Sequence, residues 1–243
     1  MVASTAGAGK TIGLVRAAIA DRAQLLSECH AEGTDCYRLF HGAIEGAPGC
    51  TLDRYGDLLL WQTFRQSEEP PEAVLPHIKA VVEDALGISL QPHWNDRRSR
   101  MTRSVSPSAS AAALAGDHTG RELGLRYRIE VPPPGRDPLL YLDFRSARRW
   151  LAANSEGRDV LNAFSFTCGA GVAALAGGAA SVTNLDFSES ALATGRFNAE
   201  AKRDQAGDQH QPAKPDLYVR AHAPLKADIE EQDPAARADQ ECD

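Results

Sequence analysis

The chain has 243 residues, 43% hydrophobic and 24% charged, with a net charge of −7 at neutral pH. This is enough for one large or two small globular domains. No apolar run approaches the ~20 residues of a membrane helix, no signal peptide is expected from the first residues, and Cys29, Cys36, Cys50, Cys168 and Cys242 form no CxxC pair, so neither a zinc site nor a disulfide framework organises the chain and a reducing cytoplasm is expected.

Residues 1–36 read as a helical segment. Gly9-Lys10-Thr11 looks like the end of a phosphate-binding loop, but Ser4 stands where that loop needs its first glycine and only three residues are left for the strand ahead of it. Ile12–Ala31 carries Leu14, Val15, Ala18, Ile19, Leu25 and Leu26 at helical spacing, and Gly33 can end the helix. From 37 to 131 the pattern is that of a small α+β domain. Tyr37–Phe40 reads as a strand, and Cys50–Tyr55, a Gly56-Asp57 turn and Leu58–Phe64 read as a β-hairpin. Pro70, Pro71 and Pro76 bracket the start of a helix carried by Ile78, Val81, Val82, Ala85 and Leu86. Residues 96–117 combine Arg97, Arg98, Arg100 and Arg103 with a Ser/Ala-rich run, and read as a basic linker that buries little. Tyr127–Val131 reads as a strand, and Pro132–Pro134 with Pro138 mark a domain boundary.

Arg145–Ala153 is predicted as a helix carrying Arg145, Arg148, Arg149 and Trp150, with Arg145 and Arg149 on one face; a solvated face with Trp150 packed inward is the alternative to a functional one. Residues 91–150 hold eleven Arg against six acids, whereas 199–243 hold six Lys/Arg against eleven acids. A basic middle beside an acidic tail suits either a polyanion-binding face or two solvated surfaces.

The stretch 159–198 organises the chain. Val160–Leu161 begin a strand, Cys168–Gly171 turn, Ala170–Ala176 form a small-residue helix, and Ser181–Asp186 form a second strand that ends in a carboxylate. Ser188 can cap a further helix running to about Asn198. A glycine turn admits a ligand close to the backbone, a helix N-terminus offers N–H groups to an anion, and Asp186 can accept from both hydroxyls of a ribose. The order is half of a nucleotide-binding α/β unit. After Asn198 no further buried strand is legible, only the short apolar patch Leu217–Val219, and 199–243 is expected to be a poorly ordered tail.

Three stretches carry a family resemblance in the family's own order: YRLFHGAIEGAPGCTLDRYGDLLL, YLDFRSARRW and LNAFSFTCGAGVAALAGGAASVTNLDFSESAL. They resemble the class I S-adenosylmethionine-dependent methyltransferases of the cytosine-5 type that modify large-subunit ribosomal RNA. The resemblance implies a partial Rossmann-like sheet at 138–198 behind the small α+β domain, with S-adenosylmethionine as cofactor. By position, the loop Asn162–Gly169, with Phe164, Phe166 and Thr167, would cradle the methionine part of the cofactor. Asp186 would bind its ribose, and Asp143 and Arg145 would line the same pocket. Ribosomal RNA would be the partner, met through Arg97, Arg98, Arg100, Arg103, Arg145, Arg148 and Arg149.

Two departures stand out. Cys168 occupies a position where the family often has glycine. The family's Asp-Pro-Pro type loop, which faces the target base, has no counterpart after Asn198. The chain therefore reads as a truncated member, expected not to methylate RNA alone and offering no identifiable catalytic residue. An NAD-dependent oxidoreductase is the rival, since Gly169-x-Gly171-x-x-Ala174 fits that fingerprint with Asp186 downstream. A non-enzymatic RNA-binding fragment is the third reading.

Overall fold

The computed structural model describes residues 5–66, 70–98, 104–105, 118–131, 137–205 and 216–221. Helices α1 (Thr5–Asp21) and α2 (Ala23–Ala31) lead into β1 (Cys36–Phe40), β2 (Cys50–Tyr55) and β3 (Leu58–Thr63). Gly9-Lys10-Thr11 lies inside α1, so its backbone is committed to a helix and forms no phosphate cradle. Strands β1, β2 and β3 pair antiparallel, with Cys36 opposite Tyr55 and Leu52 opposite Trp61. Helix α3 (Pro71–Leu86) then crosses over, so that β4 (Gln91–Asp96) joins β3 in parallel. The crossover is what makes a parallel pair possible, since a hairpin cannot. One face of this sheet packs Leu39, Leu52, Leu59 and Trp61 against Val15 of α1 and Leu75 and Ile78 of α3.

Strand β4 was not legible in the sequence, and two residues of the expected linker form β5 (Ser104–Val105), paired with Trp94 and Asn95. The remainder of 99–117 lies outside the described residues. The strand expected at Tyr127–Val131 is β7 (Leu125–Ile129), and it is half of a hairpin with β6 (His118–Glu122). This hairpin belongs to a second core, in which Tyr127 and Ile129 meet Cys36, Tyr55, Leu58 and Leu60 from the first sheet and Val172 and Val182 from the second half of the chain.

The second half begins with a 3-10 turn (Leu142–Phe144) and α4 (Arg145–Asn154), followed by β8 (Asp159–Ala163), α5 (Gly169–Ala176), β9 (Ser181–Asp186), α6 (Glu189–Gln205) and β10 (Asp216–Ala221). The sheet order is β10-β9-β8, all parallel. Within the expected poorly ordered tail, the apolar patch Leu217–Val219 belongs to β10 and pairs in register with Val182–Asn184, while 206–215 and 222–243 lie outside the described residues. In α4 the alternative with Trp150 packed inward does not hold, because Trp150 is 64% exposed while Arg148 of the same helix is buried. Among the described residues no helix is long and apolar enough to cross a membrane.

Candidate functional site

The loop joining β8 to α5 is an unusual piece of backbone. Phe164, Phe166 and Cys168 have φ values of 56°, 48° and 59°. Non-glycine residues seldom adopt this left-handed region, which costs roughly 1–2 kcal/mol per residue, so a run of alternate ones persists only where the surroundings hold it. Several groups do so here. Asp186, at the end of β9, accepts from the Phe166 N–H at 2.7 Å through Oδ2 and from the Ser188 N–H at 2.9 Å through Oδ1. The Ser165 N–H donates to Leu185 O at 3.1 Å, and the Thr167 hydroxyl donates to Leu139 O at 2.6 Å. Asn198 of α6 donates from Nδ2 to Thr167 O at 3.1 Å, while its Oδ1 accepts from the Arg128 N–H of β7 at 2.8 Å. Strand β9, helix α6 and the Leu139 segment thus fix one short loop.

Beneath the loop, Asn162 donates to Asn184 Oδ1 at 2.8 Å. Asn184 is fully buried, and the helix above it must carry a glycine at 171, because a Cβ there would lie 2.9 Å from Asn184 Nδ2. Helix α5 starts at Gly169 without a side-chain cap on its N-terminus. Its first N–H groups are therefore available to an anionic group, aided by the positive end of the helix dipole. The rings of Phe164 and Phe187, on the two segments that meet at Phe166 and Asp186, are 87% and 73% exposed.

The lead-in segment closes on the same place. The Tyr141 ring packs on Phe166 with centroids 4.9 Å apart. Burial pushes the Tyr141 phenol pKa up, and the neighbouring carboxylates of Asp137, Asp143 and Asp186 push it further. Asp186, bonded to the Phe166 N–H, and Tyr141, packed on the Phe166 ring, thus meet at the loop, and Asp143 follows Tyr141 in the 3-10 turn. Arg145 is placed differently, since its guanidinium reaches Cys29 Sγ at 3.2 Å and Glu32 at 3.6 Å.

The segment is held by a buried ion pair with no local signature in the chain. Arg148 donates to both oxygens of Glu122, at 2.6 and 2.7 Å, and to the Tyr141 carbonyl at 2.8 Å. This corrects the reading of Arg148 as an RNA contact, because a guanidinium only 2% exposed and shared by a buried carboxylate cannot face a polyanion. The other described arginines of that set are also paired: Arg97 with Asp137 at 2.9 Å, Arg98 with Asp96 at 2.5 Å, and Arg145 and Arg149 with Glu32. Arg100 and Arg103 lie outside the described residues.

Cys168 is 1% exposed, and burial raises its thiol pKa to about 11. A thiol so protonated is a poor nucleophile at neutral pH. Alkylation of Cys168 by iodoacetamide at neutral pH is expected to be slow until denaturant is added; rapid native-state modification, read by mass spectrometry, would contradict the packing seen here.

Sequence reasoning missed Asn184, Asn198 and Glu122. Asn198 did leave a signal, since asparagine is a poor residue for a helix interior unless its amide has work elsewhere.

The sequence model of the S-adenosylmethionine-dependent methyltransferase family matches residues 38–210. The chain is 34% identical over 214 residues to a ribosomal RNA large subunit methyltransferase of Deinococcus radiodurans, covering 83% of this chain and 50% of that protein. The chain spans about half the length of the curated relatives it matches. In fold it is similar to a Streptococcus mutans protein described as an S-adenosylmethionine-dependent methyltransferase, with a TM-score of 0.67 at 23% identity, covering 88% of this chain and 52% of that one. It is similar also to a methyltransferase complexed with SAH, with a TM-score of 0.68 at 24% identity and the same coverage.

Proposed function

Since the chain belongs to the S-adenosylmethionine-dependent methyltransferase family, we propose that it binds S-adenosylmethionine on the 162–169 loop and serves methyl transfer to large-subunit ribosomal RNA, at C5 of a cytosine, in the cytoplasm. Residues 138–198 are the cofactor half in this reading, behind the α+β unit of 37–131. The observation that carries it is the strained loop held over the uncapped start of α5 by Asp186. The residues fit the cofactor chemically. Free N–H groups at Gly169 suit its carboxylate, the Asp186 oxygens retain lone pairs for ribose hydroxyls, and the exposed faces of Phe164 and Phe187 suit its adenine. Asn162 and Thr167 fix the loop from below, and Asp143, in the lead-in segment, is assigned to the amino group. Arg145 is left a supporting place, through Glu32. When bound, the cofactor supplies an electrophilic methyl on a sulfonium. RNA as the methyl acceptor is supported by the Deinococcus radiodurans relative's description, and cytosine C5 by the resemblance of the three quoted stretches.

Calorimetry with S-adenosylhomocysteine tests the reading. The chain is expected to bind it, and Asp186→Ala is expected to weaken binding by about 1–3 kcal/mol, the range for losing hydrogen bonds to a charged group. Part of that loss comes from freeing the Phe166 and Ser188 N–H groups. Equal affinity in mutant and parent would sink the assignment. Tritium from labelled S-adenosylmethionine appearing on any base other than cytosine in large-subunit RNA would overturn the choice of acceptor.

A further inference from the structure

The face of the first sheet turned away from α1 and α3 carries a charged pair that the cofactor site does not use. Arg38 of β1 donates to Asp53 of β2 through Nε at 2.7 Å and Nη2 at 3.0 Å. Asp53 is completely buried and also accepts from Gln62 Nε2 at 3.4 Å, whereas the Arg38 side chain is 37% exposed. One edge of the guanidinium is thus locked against a buried anchor, leaving the Nη1–Nη2 end as a rigid pair of donors. That side of the sheet meets the lead-in segment of the proposed cofactor site, since β1 packs against the 3-10 turn that holds Asp143. Tyr141, 44% exposed, immediately precedes that turn, and its ring packs at a tilt on Phe166 of the cofactor loop.

A planar fork of two donors takes either a phosphate or the paired acceptors of a nucleobase. The surrounding charge decides between them. Around Tyr141, Asp137, Asp143 and Asp186 outnumber Arg97, so a phosphate would enter against net negative charge. A neutral base meets no such penalty, and it can rest on the exposed Tyr141 face, since aromatic rings bind unstacked bases in this manner. Building on the reading above, we propose that Arg38, positioned by Asp53, reads the O2/N3 acceptor edge of an unstacked cytosine next to the cofactor loop. Uracil presents a donor at N3 and would be turned away by the same fork.

Fluorescence anisotropy with single-stranded RNA oligonucleotides tests this, using one sequence with cytosine, 3-deazacytosine or uracil at its centre, with and without S-adenosylhomocysteine. The parent is expected to bind the cytosine form about tenfold tighter than either of the others, the scale of one bidentate base contact. Arg38→Lys keeps the charge but loses the planar fork, and is expected to bind all three alike while its affinity for S-adenosylhomocysteine stays that of the parent. Equal binding of the three by the parent, binding of none, or discrimination retained by Arg38→Lys would each overturn the proposal. If Arg38→Lys fails to fold, the 3-deazacytosine comparison in the parent decides, because it alters the ligand alone. Failure to bind S-adenosylhomocysteine would strike the proposed function instead, while a preference for cytosine would still uphold the role of Arg38.

Discussion

Arg148→Met is expected to lower the unfolding free energy by about 3–5 kcal/mol, the range for breaking one side of a buried ion pair. Arg148 and Glu122 are 2% and 1% exposed and share two parallel hydrogen bonds, so removing the guanidinium strands a carboxylate in the core. Arg145 Nε, 4.0 Å from Glu122, can relieve only part of this. Removing both charges is a different experiment. With Glu122→Leu added, most of the lost stability is expected to return, because well-packed apolar replacements of such pairs are often neutral. Urea denaturation of the parent, both single mutants and the double mutant gives the coupling directly. Single-mutant losses below about 1 kcal/mol would mean that the pair is not the clamp described. Cofactor affinity should fall even in the restored double mutant, because the Tyr141 carbonyl, and with it the segment carrying Asp143, loses its Arg148 donor.

The second large effect is expected to change sign with its background. Gly195 sits inside α6, where glycine is worth about 1 kcal/mol less than alanine. The reason is Cys168: a Cβ at 195 would lie 2.7 Å from the Cys168 Cβ and closer still to its sulfur. Gly195→Ala is therefore expected to destabilise the parent by about 1–3 kcal/mol through overpacking. In a Cys168→Gly background the obstacle is gone and position 168 is freed of its left-handed strain, so the same change should stabilise by up to about 1 kcal/mol. Thermal or urea unfolding of the four proteins reads this out; the same sign in both backgrounds would show that the two residues do not share the space. The pair also accounts for how the chain accommodates a cysteine in this turn: the opposing helix is hollowed to receive the thiol.

The strands and helices that bury a regular apolar pattern could be read from the sequence. Tyr37–Phe40, the hairpin of β2 and β3, α3, and the order β8-turn-α5-β9 with its terminal Asp186 all follow from apolar runs or helical spacing broken by glycine or proline, which are local properties. What stayed hidden depends on partners far along the chain. Strand β4 reads Gln-Pro-His-Trp-Asn-Asp and β6 reads His-Thr-Gly-Arg-Glu, with no apolar alternation to mark them, and they are strands because β3 and β7 supply the other half of their hydrogen bonds. The β6–β7 turn uses Leu123 and Gly124, both at positive φ, without the Asn-Gly or Asp-Gly that would announce a hairpin. Strand β10 is the weak patch 217–219 recruited by a neighbouring parallel strand. The arginines show the same division most plainly. Their number and spacing are written in the sequence, but whether each meets solvent or a carboxylate depends on acids up to 117 residues away. Burial then turns Arg148 into a clamp and leaves Arg38, anchored on Asp53, with one edge exposed. Composition supplies the charges, and only the tertiary structure sets their desolvation and their partners, which decide what each charge can do.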